Sequence, residues 1–176
     1  MRLARLLVRR RTPAAAGALY GAVVRQAREA AFYGEGGVPD TLDGRFELIA
    51  LHAFLVLRRL KAEHGRTRVL AQAVFDEMFA DMDRSLRELG AGDLGVGRRV
   101  KAMAAAFYGR VAAYERGLAE GDGALEAALA RNLFGTVAHE RQKVAAMRRY
   151  LRAQVALLDG QPIDRLIAGE VRFARP

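Results

Sequence analysis

Residues 69–101 read VLAQAVFDEMFADMDRSLRELGAGDLGVGRRVK, and this stretch decides the fold. Leu70, Val74, Phe75, Met78, Phe79, Met82, Leu86 and Leu89 recur at spacings of three, four and seven. At about 100° per residue they cover roughly half of a helix circumference, so the pattern predicts an amphipathic helix with a broad apolar stripe. A stripe this wide predicts a place in the middle of a bundle. The opposite face carries Asp76, Glu77, Asp83, Arg84, Arg87 and Glu88, with Asp81 at the edge of the stripe. Gly90 stops the helix, and Gly90 to Gly97 read as a turn into a further helix starting near Arg98.

Toward the amino terminus, Gly34 to Asp43 form a loop, and Thr41 or Asp43 caps a helix that runs to His64 and stops at Gly65. Its centre, LIALHAFLVL, is apolar all round, which predicts that other helices surround it. Thr67 then reads as the cap of the Val69 helix. Before the loop, Thr12-Pro13 gives an N-cap followed by Pro at the first helical position. That first helix is expected to reach Tyr33, with Leu19, Val23, Ala27 and Ala30 on one face.

Toward the carboxyl terminus, Val100, Met103, Phe107, Val111, Tyr114 and Leu118 make a narrow helical stripe. Gly121-Asp122-Gly123 is a turn with Asp122 as cap, and a short helix follows it to Gly135. Thr136 caps a helix that uses Val144, Met147, Leu151, Val155 and Leu158 and ends at Gly160; Pro162 begins a last short one. No segment alternates with a β period, and no repeat is present. The reading is an all-α, single-domain bundle of about six main helices with short connections. A basic tail spans 1–12, the helical domain 13–160, and a short helix and tail 161–176.

The chain has 176 residues, enough for one domain with a proper core. It lacks Cys, which excludes disulfides, thiolate metal sites and cysteine nucleophiles. The net charge of +9 suggests nucleic acid. However, the basic residues are spread over every helix, and all but Lys61, Lys101 and Lys143 are Arg, a pattern of composition bias. The exception is MRLARLLVRRR, residues 1–11; no acidic residue appears before Glu29. This segment is too interrupted for a signal peptide. Two readings stay open for it: a frayed basic tail, or a short basic amphipathic segment that touches an anionic membrane surface. No run reaches the length of a spanning helix.

The inventory of reactive groups is thin. Ser85 is mid-helix with no His placed as its base, so a serine hydrolase is excluded. GAGDLG matches a dinucleotide fingerprint letter for letter, but a long helix precedes it where a strand is required. Asp76, Glu77, Asp81 and Asp83 lack the Glu-x-x-His pairs of a di-iron bundle, and Asp83 and Arg87 read as an i,i+4 ion pair. No metal, cofactor or catalytic residue is assigned. His52, within the most apolar helix, leaves two readings: a hydrogen-bonded core histidine, or the ligand of a tetrapyrrole. His64 is read at a helix C-terminus and His139 in a first turn.

Four segments in order carry a family resemblance. They are FYGEGGVPDTLDGRFELIALHAFLVLRRLKAE, the Val69–Lys101 stretch, Ala106-Phe107-Tyr108-Gly109-Arg110 with Tyr114, and ALEAALARNLFG. Over Leu19 to Leu158 the chain resembles the ubiquinol–cytochrome c chaperones, assembly factors for cytochrome b of the respiratory cytochrome bc complex. It is similar to the short bacterial form, without a long amino-terminal targeting extension. The resemblance implies a non-catalytic protein that binds newly made cytochrome b, with a small partner protein and the ribosome as further contacts. The expected location is the cytoplasm, and peripheral contact with the inner face of the membrane through residues 1–11 stays open.

For such a client the residues offer a groove. Phe75, Phe79, Met82, Phe107, Tyr108 and Tyr114 are its apolar candidates, with Asp81, Lys101 and Arg110 to line or orient it. Tyr108 stands out because it flanks its helical stripe. For Asp81 an ion pair with Lys101 across two helices is the preferred reading, since an unpaired acid at the edge of a core is costly. The alternative function is a tetrapyrrole- or lipid-binding helical protein, resting on His52 and the apolar helix around it; a nucleic-acid-binding bundle rests on charge alone.

Overall fold

The computed structural model describes residues 2–34, 37–88, 90, 92–135, 137–138 and 140–176, the side chains of 2–11, 93 and 94 excepted. The described residues form helices α1 (Arg2–Ala27), α2 (Leu42–Ala62), α3 (His64–Glu88), α4 (Asp93–Glu120), α5 (Asp122–Leu133), α6 (Arg141–Asp159) and α7 (Ile163–Ile167). A 3₁₀ turn at Ala30–Phe32 stands between α1 and α2, and no strand occurs among the described residues.

The central helix is α2, not α3. It packs against α1, α3, α4, α5 and α6, which is why it can be apolar all round. Leu48, Leu51, Phe54, Leu55 and Leu60 are fully buried. Each side chain of this kind contributes roughly 1.5–3 kcal/mol by leaving water. Helix α3 instead touches α1, α2 and α4. It buries Val74 and Met78 and turns Asp76, Arg84 and Arg87 outward. Its broad stripe therefore reflects three neighbours and one partly uncovered apolar edge, at Phe75.

Several boundaries differ from the sequence expectation. Helix α1 begins at Arg2 and runs through Pro13. Pro13 forgoes one backbone bond, and strong helix formers on both sides carry the helix across it. The helix stops at Ala27, and Ala30 is exposed while Phe32 turns inward. Gly65 and Thr67 lie inside α3. Thr67 is buried and donates its hydroxyl to the Leu60 and Glu63 carbonyls, so it closes the end of α2 rather than opening α3. Helix α4 begins at Asp93 with Gly92 as its cap, so Gly95 and Gly97 are helical. Asp122 makes no capping bond. It receives Arg148 and Arg152 from α6 instead.

Other signals hold. Thr41 caps α2 by accepting from the Gly44 amide at 3.2 Å. Gly90 ends α3 with φ of +83°, a conformation that costs glycine little. Gly160 follows α6, and Pro162 precedes α7. Arg87 donates to Asp83 at 2.6 Å. Leu89, Thr136 and His139 lie outside the described residues; His64 is the first residue of α3 rather than the end of α2.

After α7 the chain runs extended along α1 and α6. Gln161 donates to the Arg172 carbonyl at 2.8 Å and accepts from its amide at 2.9 Å. Gln154 does the same to Ala174, at 2.9 and 3.1 Å. Two side-chain amides, Gln154 on α6 and Gln161 just past its end, thus replace the partner strand that this segment lacks.

Candidate functional site

Helices α3 and α4 meet through four aromatic rings. Phe75 meets Phe79 at a tilt, 4.6 Å between centroids, and stacks on Tyr108 at 5.6 Å. Phe107 meets Phe75, Phe79 and Tyr108 edge-on at 6.0 to 6.3 Å. The four are graded by depth. Phe107 and Phe79 are buried, Phe75 is half-buried, and Tyr108 is 60% exposed. The helical period explains this: Phe107 points at the core, and Tyr108, one residue on, is turned about 100° toward solvent. The result is an aromatic ledge with a fixed floor and an open upper edge. An exposed ring held by packing can meet a second apolar surface with little further loss of freedom.

The remaining sequence candidates fall around this ledge with other tasks. Tyr114 is fully buried beside Phe54, at 5.5 Å between centroids, and cannot touch a client directly. Its hydroxyl lies near Asn132, and burial pushes its pKa up. Met82 is buried. Arg110 forms a bidentate pair with the buried Glu47 of α2, donates to the Ala106 carbonyl at 2.9 Å, and lies over the Phe46 ring at 5.3 Å. The Glu47 carboxylate, bonded to the guanidinium, raises the Arg110 pKa. Arg110 therefore pins α4 to α2. The pairing of Asp81 with Lys101 does not form. Asp81 accepts from the Tyr20 hydroxyl of α1 at 2.8 Å and from Arg84 at 3.1 Å, and Lys101 is exposed. Burial first, then the bond to Asp81, pushes the Tyr20 pKa up. Tyr20 is 61 residues away in sequence, so no local pattern marks it as the partner.

His52 lies on the far side of α2 and is fully buried. Its Nδ1 faces the Leu48 carbonyl at 2.7 Å, so Nδ1 carries the proton and Nε2 accepts from the Tyr150 hydroxyl at 2.8 Å. Gln26 donates to Tyr150 and to the Ala174 carbonyl. Phe32, Tyr150 and Phe173 surround the ring edge-on. Desolvation lowers its pKa to about 4, against the opposing backbone bond. Both nitrogens are engaged in the interior, and an axial bond to a tetrapyrrole iron would have to break a buried hydrogen bond. The core-histidine reading of His52 is the one this geometry fits. Sequence reasoning missed Gln26, Gln154 and Gln161, which close this side. Their only signal is that they are amides interrupting apolar faces.

Comparison with known proteins agrees with the segments that carried the resemblance. Residues 35–173 match the ubiquinol-cytochrome C chaperone family. The chain is 29% identical to ubiquinol-cytochrome-c reductase complex assembly factor 1 of Xenopus laevis over 143 residues, 80% of this chain and 70% of that one. To the Homo sapiens protein of that name it is 26% identical over 137 residues, 77% of this chain and 46% of the relative. This chain thus spans under half the length of the human protein. The crystal structure of the Cbp3 homolog from Brucella abortus superposes with a TM-score of 0.86 at 38% identity, covering 99% of this chain and 97% of that one. With that fold, that order of segments and that extent of match, the chain belongs to the ubiquinol-cytochrome C chaperone family.

Proposed function

We propose that this protein is a non-catalytic chaperone for assembly of ubiquinol–cytochrome c reductase, and that it holds newly made cytochrome b against the α3–α4 ledge. The observation that supports the site is Tyr108, 60% exposed yet stacked on Phe75 above buried Phe79 and Phe107. An apolar client helix can lay its side chains across such an edge. Tyr is among the residues that carry most binding energy at protein interfaces. The named relatives are reductase assembly factors, which supports the choice of client. No helix among the described residues is long and apolar enough to cross a membrane.

The test is to crosslink the tagged protein in cells of its own species and compare what co-purifies. Cytochrome b should be enriched over equally abundant membrane proteins, and Tyr108→Ser should cut that enrichment about tenfold. Deleting the gene should remove the reductase and spare other respiratory complexes. An eluate without cytochrome b would overturn the client assignment. Normal reductase spectra in the deletion strain would overturn the assembly role.

A further inference from the structure

The segment after α7 has the side-chain pattern of a strand but no sheet to join. Gly169, with φ of +91°, turns the chain out of α7, and residues 170–176 then run on without helix or strand. The charged side chains of Glu170, Arg172 and Arg175 are exposed. Between them, Val171 and Phe173 pack against the core, and the Phe173 ring meets the His52 ring edge-on at 5.5 Å. Alternation of this kind belongs to an extended chain laid along a receptor that binds its backbone.

Three glutamine side chains act as that receptor. Gln161 binds both backbone groups of Arg172, and Gln154 binds both of Ala174. Gln26, on α1, adds a second donor to the Ala174 carbonyl at 2.9 Å. All five bonds go to the main chain, so they read an extended backbone and not the identity of residues 172 and 174. Selection falls to the inward places: an apolar side chain at 171 and an aromatic ring at 173, which closes the cluster of Phe32, His52 and Tyr150. Gln154 is fully buried here. A buried amide without partners is costly, so this groove between α1 and α6 has to be filled.

We infer that the α1–α6 groove is a binding site for an extended peptide of the pattern apolar, any, aromatic, small, and that Val171-Arg172-Phe173-Ala174 is the ligand it carries in cis. The occupant from outside is an extended segment of a partner protein with that pattern, which takes the place of the tail. The tail itself shows the chemistry that fits: a free backbone at two alternate residues and a ring between them. Because the groove lies across α2 from the α3–α4 ledge, its partner and the client do not compete for one surface. The inference rests on backbone bonds and ring contacts and does not depend on which protein is the client.

The experiment measures, by fluorescence anisotropy, binding of a labelled peptide EVRFARP, the sequence of residues 170–176, to the full chain and to its Phe173→Ser variant. In the parent the tail is a tethered competitor at an effective concentration on the order of millimolar. A groove closed by its own tail about nine-tenths of the time or more weakens the apparent affinity about tenfold or more, so Phe173→Ser should bind the peptide at least about tenfold more tightly than the parent. The peptide carrying Phe173→Ser should bind neither protein, and adding Gln154→Ala to the variant should weaken its binding of the parent peptide. A variant with the parental circular dichroism spectrum that ignores the peptide, or equal binding by variant and parent, would overturn the inference. Hydrogen exchange on the parent needs no variant. The Arg172 and Ala174 amides, both bound to glutamine side chains, should exchange together and ahead of the α2 amides, because one opening frees both. Exchange of these two only at the rate of α2 would mean that the groove is never vacated, and would equally sink the proposal.

Discussion

The two sides of α2 use aromatic rings in opposite ways. On one side Phe32, His52, Tyr150 and Phe173 are boxed together, and the His52 nitrogens, Gln26 and Gln154 all have partners. The extended carboxyl-terminal segment covers that cluster. On the other side Phe75, Phe79, Phe107 and Tyr108 pack just as closely, yet Tyr108 stays in solvent. Similar ring contacts therefore serve stability where the chain supplies its own cover, and leave an uncovered edge, the proposed docking edge, where it does not.

The comparison can be broken most forcefully at Phe107. Phe107→Ala should cost about 4 kcal/mol, because the ring is buried and the α3–α4 seam cannot collapse around it. A small change in the urea midpoint would show that the ledge has no rigid floor. The other side responds to pH. His52 is held neutral with a pKa of about 4, below its usual 6.5. Unfolded chains therefore take up a proton that the native state refuses, and stability falls as pH drops from about 6.5 to 4. The loss from this one group approaches about 3 kcal/mol. Urea titrations of the parent and of His52→Gln should differ in that window, and identical pH profiles would sink the claim.

Arg110→Ala should cost about 2 kcal/mol, since it strands the buried Glu47 carboxylate in a partly shielded site. A variant of full stability that lost only client capture would move Arg110 from the scaffold to the docking edge. Gln154→Ala should cost about 1–2 kcal/mol and speed hydrogen exchange at the Ala174 amide, which donates to Gln154. Unchanged exchange there would mean that packing of Phe173, not the amide pair, holds the segment. The smallest stability effect belongs to Tyr108→Ser, within about 0.5 kcal/mol because the ring is mostly exposed. Its effect should appear in co-purification of cytochrome b.

Much of the fold was legible because helical order is written in local period and in capping residues. Thr41, Gly90, Gly160 and Pro162 all mark real boundaries. Two capping signals misled because the residue's partner lies outside the helix it was read as opening. Thr67 looks like a local cap but serves the helix before it. Asp122 looks like a cap but binds α6.

The sequence by itself determined the all-α class, the apolar nature of α2 and the family, because periodicity and ordered motifs are properties of neighbours along the chain. Only the tertiary structure decided that Asp81 answers to Tyr20, that His52 is closed in by Tyr150, and that two glutamines bind the last residues. It also decided that Tyr108 is the ring left uncovered while Tyr114 is lost to the core. These outcomes depend on which helices meet and at what height. That is fixed by packing of the whole chain, since burial and a distant hydrogen-bond partner leave no period in the sequence.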